Sequence, residues 1–397
     1  MGGGGITSRL DMFDKQLHEL ESRHLLRRLR LIESESGPVV ITEGRRVILM
    51  SSNDYLGLAA HPKLKAAAIA ATEAFGAGSG ASRLLSGTYP PHMELEAALA
   101  RFKGTEAALV FGSGYLANLG LVPSLIGSGG LILADRLCHA SLIDGCRLSG
   151  AEFRVFRHRD VAQVRTLLAR RSSRRETLLV TDGLFSMDGD VAPLPELISL
   201  AEQYGARVLV DDAHGTGVMG SQGRGTLEYL GVESRLPFHM GTLGKAVGSS
   251  GAYVAGPSNF IRYLLNTARS FIYTTAPPPA TAAASLAGLE ILRAEPERRS
   301  RLWANREYLY TGLTALGFRS TATVSPIIPV LIGDPAIAIR MADRLFESGI
   351  YAPAIRPPTV PRQSSRIRVT VTSEHSREQL DTVLAAFQHA GRALDLV

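Results

Sequence analysis

Residues 206–218, ARVLVDDAHGTGV, run apolar for several positions and then break into two aspartates, a histidine and two glycines. An uninterrupted apolar run of strand length reads as a strand covered on both faces, which is the condition of a parallel sheet rather than of a solvated hairpin. The pattern recurs in AALVFGSG (107–114), GLILAD (130–135), EFRVFRH (152–158), TLLVTDG (177–183) and GAYVAG (251–256). Helical stretches such as MELEAALARFK (93–103) and LPELISLAEQYG (194–205) lie between them. Buried strands alternating with helices from about residue 60 to 290 predict an α/β fold, a mostly parallel sheet with helices on both faces.

The flanks differ. Residues 11–32 carry apolar side chains at helical spacing, and PVVITEGRRVILMSS (38–52) reads as two short strands around a turn. Beyond residue 290 come long helices and then SPIIPVLIG (325–333), GIYAPAIRPP (349–358) and SRIRVTVT (365–372), strands of a smaller α+β domain. The expected division is an N-terminal helix with short strands (1–50), a large domain (51–290) and a small C-terminal domain (291–397). A site is expected at the strand carboxyl ends, near the domain junction.

Composition narrows the classes of function. The 397 residues are 45% hydrophobic and 20% charged, as in an ordinary soluble protein. The formal charge of +6 is scattered; its densest clusters, RHLLRRLR (23–30) and RRSSRR (170–175), read as solvated helix faces and ends, so no nucleic-acid partner is expected. Two cysteines, Cys138 and Cys146, build neither a disulfide framework nor a four-cysteine zinc site, which fits a reducing cytoplasm. No apolar run approaches the roughly 20 residues of a membrane span, and MGGGGITSRLDMFDK lacks the layout of a signal peptide.

Chemistry-bearing residues gather where strands end. Asp211 and His214 follow VLV, Asp182 and Ser186 follow LLVT, and His139 follows LILAD. In FGSGYLANLG (111–120) a glycine-rich turn opens a helix, an arrangement that aims backbone N–H groups at a phosphate. Lys245 sits in HMGTLGKAVGSSGAYVAG (239–256) among small residues, which would let a cofactor and substrate approach it closely. A phosphate cradle, a carboxylate at a strand end, a flat ring and a lysine amid glycines are the parts that hold pyridoxal phosphate. Asp211 and His214 as metal ligands would need a third ligand, and none stands at a suitable spacing, so no metal is expected. Cys138 beside His139 reads as a small buried filler, and Gly76, Gly78 and Gly80 follow a helix rather than a strand, unlike a dinucleotide fingerprint.

From about residue 40 to 395 the chain resembles the α-oxoamine synthase family of fold-type I pyridoxal-phosphate enzymes. The resemblance rests on SSNDYLGLAAHP (51–62), GSGASRLLSGTYPPHMELE (78–96), LADRLCHASLIDG (133–145), FSMDGDVAPL (185–194), VDDAHGTGVMGSQGRG (210–225), GTLGKAVGSSGAY (241–253) and AIRPPTVP (354–361), in that order. It implies a seven-stranded, mostly parallel sheet and a decarboxylative condensation of an amino acid with an acyl thioester. RPPTVP points to the branch that joins L-alanine to a pimeloyl thioester, pimeloyl-CoA or pimeloyl-acyl carrier protein, in biotin biosynthesis.

Carried over by position, the resemblance makes Lys245 the lysine that bonds the cofactor aldehyde. Asp211 pairs with the pyridine nitrogen, His214 with the phenolic oxygen, and His139 stacks on the ring. Ser186 supports the cofactor oxygen region, while Gly114, Tyr115 and Thr242 bind phosphate. Thr274 and Thr275 reach the phosphate of the other subunit, which implies a homodimer with its site at the interface. Asn53, Arg356 and Thr359, with Arg27 or Arg28, are the substrate-binding candidates, Arg356 for the amino-acid carboxylate. In RHRD (157–160) Arg159 stands where the family often has asparagine. The rivals are a sister synthase using glycine or serine with another acyl-CoA, an aminotransferase on the same fold, and a non-catalytic binding protein.

Overall fold

A computed structural model describes residues 7–27, 29–172, 174–321 and 324–397; Arg28 lies outside them. Strands β1 (Val39–Thr42) and β2 (Arg45–Leu49) form a hairpin turned at Glu43 and Gly44. Next come β3 (Ala107–Phe111), β4 (Leu131–Asp135), β5 (Glu152–Phe156), β6 (Thr177–Asp182), β7 (Arg207–Asp211), β8 (His239–Thr242) and β9 (Ala252–Gly256). These seven build one sheet in the order β3-β9-β8-β7-β6-β4-β5, parallel except that β9 runs against both neighbours. Alternate side chains explain its two-sided burial. Ile132, Ala134, Leu178, Val180 and Leu209 pack into one apolar cluster, and Leu131, Leu133, Leu179, Val208 and Val210 into another on the opposite face.

The chain places β5 outside β4 and then returns to lay β6 on the other side, so the strand order reverses between β4 and β6. Loops leaving neighbouring strands diverge at such a reversal and open a crevice at the carboxyl ends. Into it run the loops carrying His139 after β4 and Ser186 after β6. At the sheet's β3 end, Glu96 of the helix Pro90–Lys103 takes both guanidinium nitrogens of buried Arg83 at 3.0 and 3.1 Å and the Val110 N–H at 2.9 Å. That buried pair ties the helix to the strand that delivers the glycine turn.

The C-terminal strands β10 (Ile327–Gly333), β11 (Ile350–Tyr351), β12 (Ala354–Ile355) and β13 (Ser365–Thr370) divide between two small sheets. β10, β13 and β12 pair antiparallel, whereas β11 runs parallel to β2, so the N-terminal hairpin shares a sheet with a C-terminal strand. One apolar cluster spans Met50, Tyr55, Val247, Ile328 and Val369, joining both ends of the chain to the large sheet.

The N-terminal helix covers Thr7–Ser22 and stops ten residues short of the expected end. His24 adopts a left-handed φ of 56°, and the carbonyls of His24 and Leu26 accept from the Arg356 guanidinium. Continued helix would direct those carbonyls at N–H groups four residues on; the C-terminal arginine takes them instead.

Candidate active site

The crevice holds a cavity of about 270 Å³ lined by residues from six loops. Its floor is the turn after β3. Ser113 caps the helix Gly114–Leu125, its hydroxyl accepting from Leu116 N at 3.2 Å, which leaves the first N–H groups of the helix facing the cavity. Gly114 is required there, because a Cβ would stand 2.9 Å from Thr242 Cγ2. A helix N-terminus and a threonine hydroxyl therefore meet in one corner, an anion site by geometry and dipole.

The catalytic candidates converge from β4, β6, β7 and β8. His139 caps the helix Ala140–Leu148; its backbone N–H donates to Asp182 Oδ2 at 3.1 Å, and the Tyr115 ring stands edge-on to the imidazole at 6.5 Å. Asp211 ends β7, 5% exposed, with Oδ2 accepting from Asn118 Nδ2 at 2.7 Å and Oδ1 from Ala213 N at 2.9 Å. Asp212 does different work: its carboxylate takes the Thr226 N–H and hydroxyl at 2.9 and 2.7 Å and anchors the loop that follows. His214 bonds Tyr55 Oη through Nδ1 at 2.7 Å, and burial, with Lys245 and Arg368 nearby, holds its pKa well below the usual imidazole value.

Lys245 follows β8 by three residues and lines the cavity. Burial lowers its pKa, Asp211 and Asp182 oppose the fall, and Arg368 adds to it. The glycines around it serve the loop as much as a ligand. Gly248 has φ +76°, and a Cβ there would stand 2.6 Å from Leu58.

A sequence profile described as "Aminotransferase class I and II" matches residues 45–387. The 8-amino-7-oxononanoate synthase of Symbiobacterium thermophilum is 47% identical over 388 residues, covering 98% of this chain and 99% of its own. The chain belongs to the α-oxoamine synthases, within the class I and II aminotransferases. Serine palmitoyltransferase from S. paucimobilis, solved with bound PLP, superposes with a TM-score of 0.94 at 36% identity, covering 99% of this chain and 100% of its own. An 8-amino-7-oxononanoate synthase structure from Francisella tularensis gives 0.76 at 29% identity, covering 87% and 98%.

The cofactor of this α-oxoamine synthase is pyridoxal phosphate, and the residues present fit it. The Gly114–Thr242 corner suits a phosphate, and Asp211 offers a buried carboxylate with lone pairs to spare. Asp182 Oδ1 is buried beside them and has no hydrogen-bond partner among the described residues. Burial first, then the Asp211 charge, pushes the Asp182 carboxyl well above the carboxylate range.

Of the residues singled out from sequence, Asn53, Gly114, Tyr115, His139, Ser186, Asp211, His214, Thr242 and Lys245 all line this cavity. Thr274 and Thr275 lie outside it, Thr275 exposed. Arg27, Arg356 and Thr359 line a separate groove, where Arg27 Nη2 donates to Thr359 Oγ1 at 3.1 Å. The guanidinium that the fold sets directly behind two cavity-lining residues, Ser186 and Asn53, is Arg368 of β13, 7% exposed. Its Nε donates to the Ser186 carbonyl at 2.6 Å and its Nη2 to Asn53 Oδ1 at 3.1 Å.

The Ser186 loop has a second brace. His158 is bonded through both ring nitrogens, to Asp135 and Asp190, at 2.9 Å each, and its ring meets Phe185 edge-on at 4.5 Å. Arg159, in left-handed backbone, also reaches Asp190 at 3.1 Å. Burial lowers the His158 pKa, but the two carboxylates outweigh it and push the value up to about 9. A folded pKa above the unfolded one stabilises fully below the unfolded value, and that stability fades as pH rises toward the folded one. The stability difference between the native protein and His158→Gln should therefore be largest near pH 6 and shrink toward pH 9, read as denaturant midpoints across that range. A difference that grows with pH would refute a charged His158.

Proposed function

We propose that the protein condenses L-alanine with a pimeloyl thioester, on CoA or acyl carrier protein, to give 8-amino-7-oxononanoate, the free thiol and carbon dioxide; the 47%-identical relative is named for synthesis of that product. The observation that carries the chemistry is the convergence of Lys245, Asp211, His139 and His214 on one cavity. Bound pyridoxal phosphate supplies an electron sink for the carbanion at the amino acid's α-carbon.

Gly114, Tyr115 and Thr242 would hold its phosphate, His139 and Ser186 its ring and oxygen side, and His214 its phenolic oxygen. Asp211 would keep the pyridine nitrogen protonated, its two bonds from Asn118 and Ala213 fixing the carboxylate. Burial lowers the basicity of Lys245, the direction that favours the neutral form a base requires; it takes the α-proton of L-alanine and later returns one. His139 polarises the carbonyl that the α-carbon attacks.

Arg368, beside Asn53, is the group suited to grip the alanine carboxylate, because a guanidinium binds carboxylate with two parallel bonds. Arg356, occupied by the carbonyls of His24 and Leu26, stands with Arg27 and Thr359 toward the acyl substrate. Arg368→Ala should raise KM for L-alanine by roughly 10- to 100-fold, the worth of charge-assisted bonds, with cofactor affinity little changed. An unchanged KM would return the carboxylate to Arg356.

The working form is a homodimer in which Thr274 and Thr275 reach the partner's phosphate site, as exposed Thr275 supports. The free, buried cysteines suit the cytoplasm, and the large unit spans 51–290 with a small C-terminal unit after it. The deciding experiment is thiol release from pimeloyl-CoA with and without L-alanine, with L-serine plus palmitoyl-CoA in parallel. Release that requires alanine supports the proposal; release only in the serine arm would move the protein to the sister activity.

A further inference from the structure

A neutral imidazole carries one proton on either nitrogen, and the nitrogen that carries it decides whether the ring offers a donor or an acceptor to its ligand. Two histidines line this cavity, and each has its Nδ1 engaged by the protein. Among the described residues neither Nε2 has a hydrogen-bond partner.

For His214 the partner is Tyr55, wholly buried, with Oη 2.7 Å from Nδ1. Arg368 can only donate. Through Nη2 it donates to Asn53 Oδ1 at 3.1 Å. The phenol proton then has two takers, His214 Nδ1 at 2.7 Å and Asn53 Oδ1 at 3.4 Å, and the second is already supplied by the guanidinium. The shorter bond to the free lone pair is the stronger one. Tyr55 therefore donates, and the proton of His214 stands on Nε2.

The second ring reaches the same state through different atoms. The Ser141 backbone N–H, which can only donate, points at His139 Nδ1 at 3.3 Å, and the Ser141 hydroxyl lies 2.7 Å from the same nitrogen. That hydroxyl accepts from Asn118 Nδ2 at 2.9 Å, so its own proton is free for the imidazole. Asn118 is the amide that also holds Asp211.

We infer that Tyr55 and Ser141 are positioning residues that lock both cavity histidines as neutral Nε2–H tautomers, so that the site presents two uncharged donors to the oxygen atoms of its ligands. This rests on the pyridoxal-phosphate reading for what those oxygens are, while the tautomers themselves belong to the protein alone. Uncharged donors bind an oxyanion or carbonyl without adding a cation beside Lys245, whose neutral form the reaction needs.

The test is nitrogen-15 NMR of the full chain labelled at histidine, with and without pyridoxal phosphate, using His214→Asn and His139→Asn for assignment. Both rings should show a protonated Nε2 and a bare Nδ1 in either sample. Tyr55→Phe, which removes one oxygen, should move His214 toward a mixture of tautomers while leaving His139 unchanged. It should also change the visible absorption band of the bound cofactor and weaken cofactor binding roughly five- to tenfold. A protonated Nδ1 on His214 in the native protein, or an unchanged His214 pattern in Tyr55→Phe, would overturn the inference. The native spectrum decides even if the variant does not fold. If the tautomers stand but His214→Asn leaves the absorption band untouched, the cofactor contact fails rather than the lock.

Discussion

Replacing Lys245 with alanine should reduce thiol release from pimeloyl-CoA and L-alanine by at least about 10³–10⁴-fold, because in the proposed reaction one side chain is asked both to bond the cofactor and to carry the α-proton. The fold should tolerate the change. Among the described residues the Lys245 side chain has no hydrogen bond that its loss would orphan; the loop is held by backbone bonds from Gly248 N to the Lys245 carbonyl and from Ser249 N to the Leu243 carbonyl, at 2.9 Å each. Lys245→Arg separates two explanations of the loss. Arginine keeps the positive charge beside Asp211 and Asp182 but stays protonated, so it neither bonds an aldehyde nor accepts a proton. If charge alone mattered, arginine would restore much of the rate; the expected result is that it restores none. Single-turnover thiol release with saturating cofactor is the measurement. An alanine variant keeping more than about 1% of native turnover would assign the proton transfer to another group.

The parts of the site that were legible in the sequence are those set by chain-local patterns. Apolar runs that end abruptly in polar residues mark strand ends, and strand ends in a parallel sheet mark the crevice, so Asp211, His214, His139 and Lys245 could be placed before any coordinates. Arg368 was hidden by its own strand. SRIRVTVT alternates, and alternation in a small C-terminal domain reads as one face in the core and one in water. The structure turns the arginine face inward: Arg366 bonds Asp188 at 2.6 Å and Arg368 the Ser186 carbonyl, so both grip the FSMDGD loop, and they are only 3% and 7% exposed. Two charged residues at alternate positions of a strand could have been the signal, but only the partner loop gives it meaning. Asn118 and Tyr55 were equally out of reach, since their work depends on atoms about 90 and 160 positions away along the chain. The early end of the first helix has the same origin, a contact with Arg356 more than 300 residues away.

Asp211→Asn should lower turnover by roughly 10²–10³-fold, the usual cost of removing one preorganised charge from a buried site, and the geometry explains why an amide is no neutral replacement. Both carboxylate oxygens accept from nitrogen donors, Oδ2 from Asn118 and Oδ1 from Ala213 N. An asparagine must turn its NH₂ toward one of them, so either orientation sets donor against donor in a site shielded from water. On the proposed reading the variant thus loses the charge that would keep the pyridine nitrogen protonated and also the fixed placement of whatever remains. A second carboxylate could be expected to compensate, since Asp182 faces Asp211 in register on the adjacent strand and the Asp211 charge adds to the burial that raises the Asp182 pKa. Removing that charge lets Asp182 ionise more readily. Yet Asp182 Oδ2 is engaged by the His139 backbone N–H, so its charge arises one strand away from where the nitrogen needs it. Turnover in Asp211→Asn should consequently stay low at every pH, whereas a rate recovering to within about threefold of native above neutral pH would show that Asp182 can stand in.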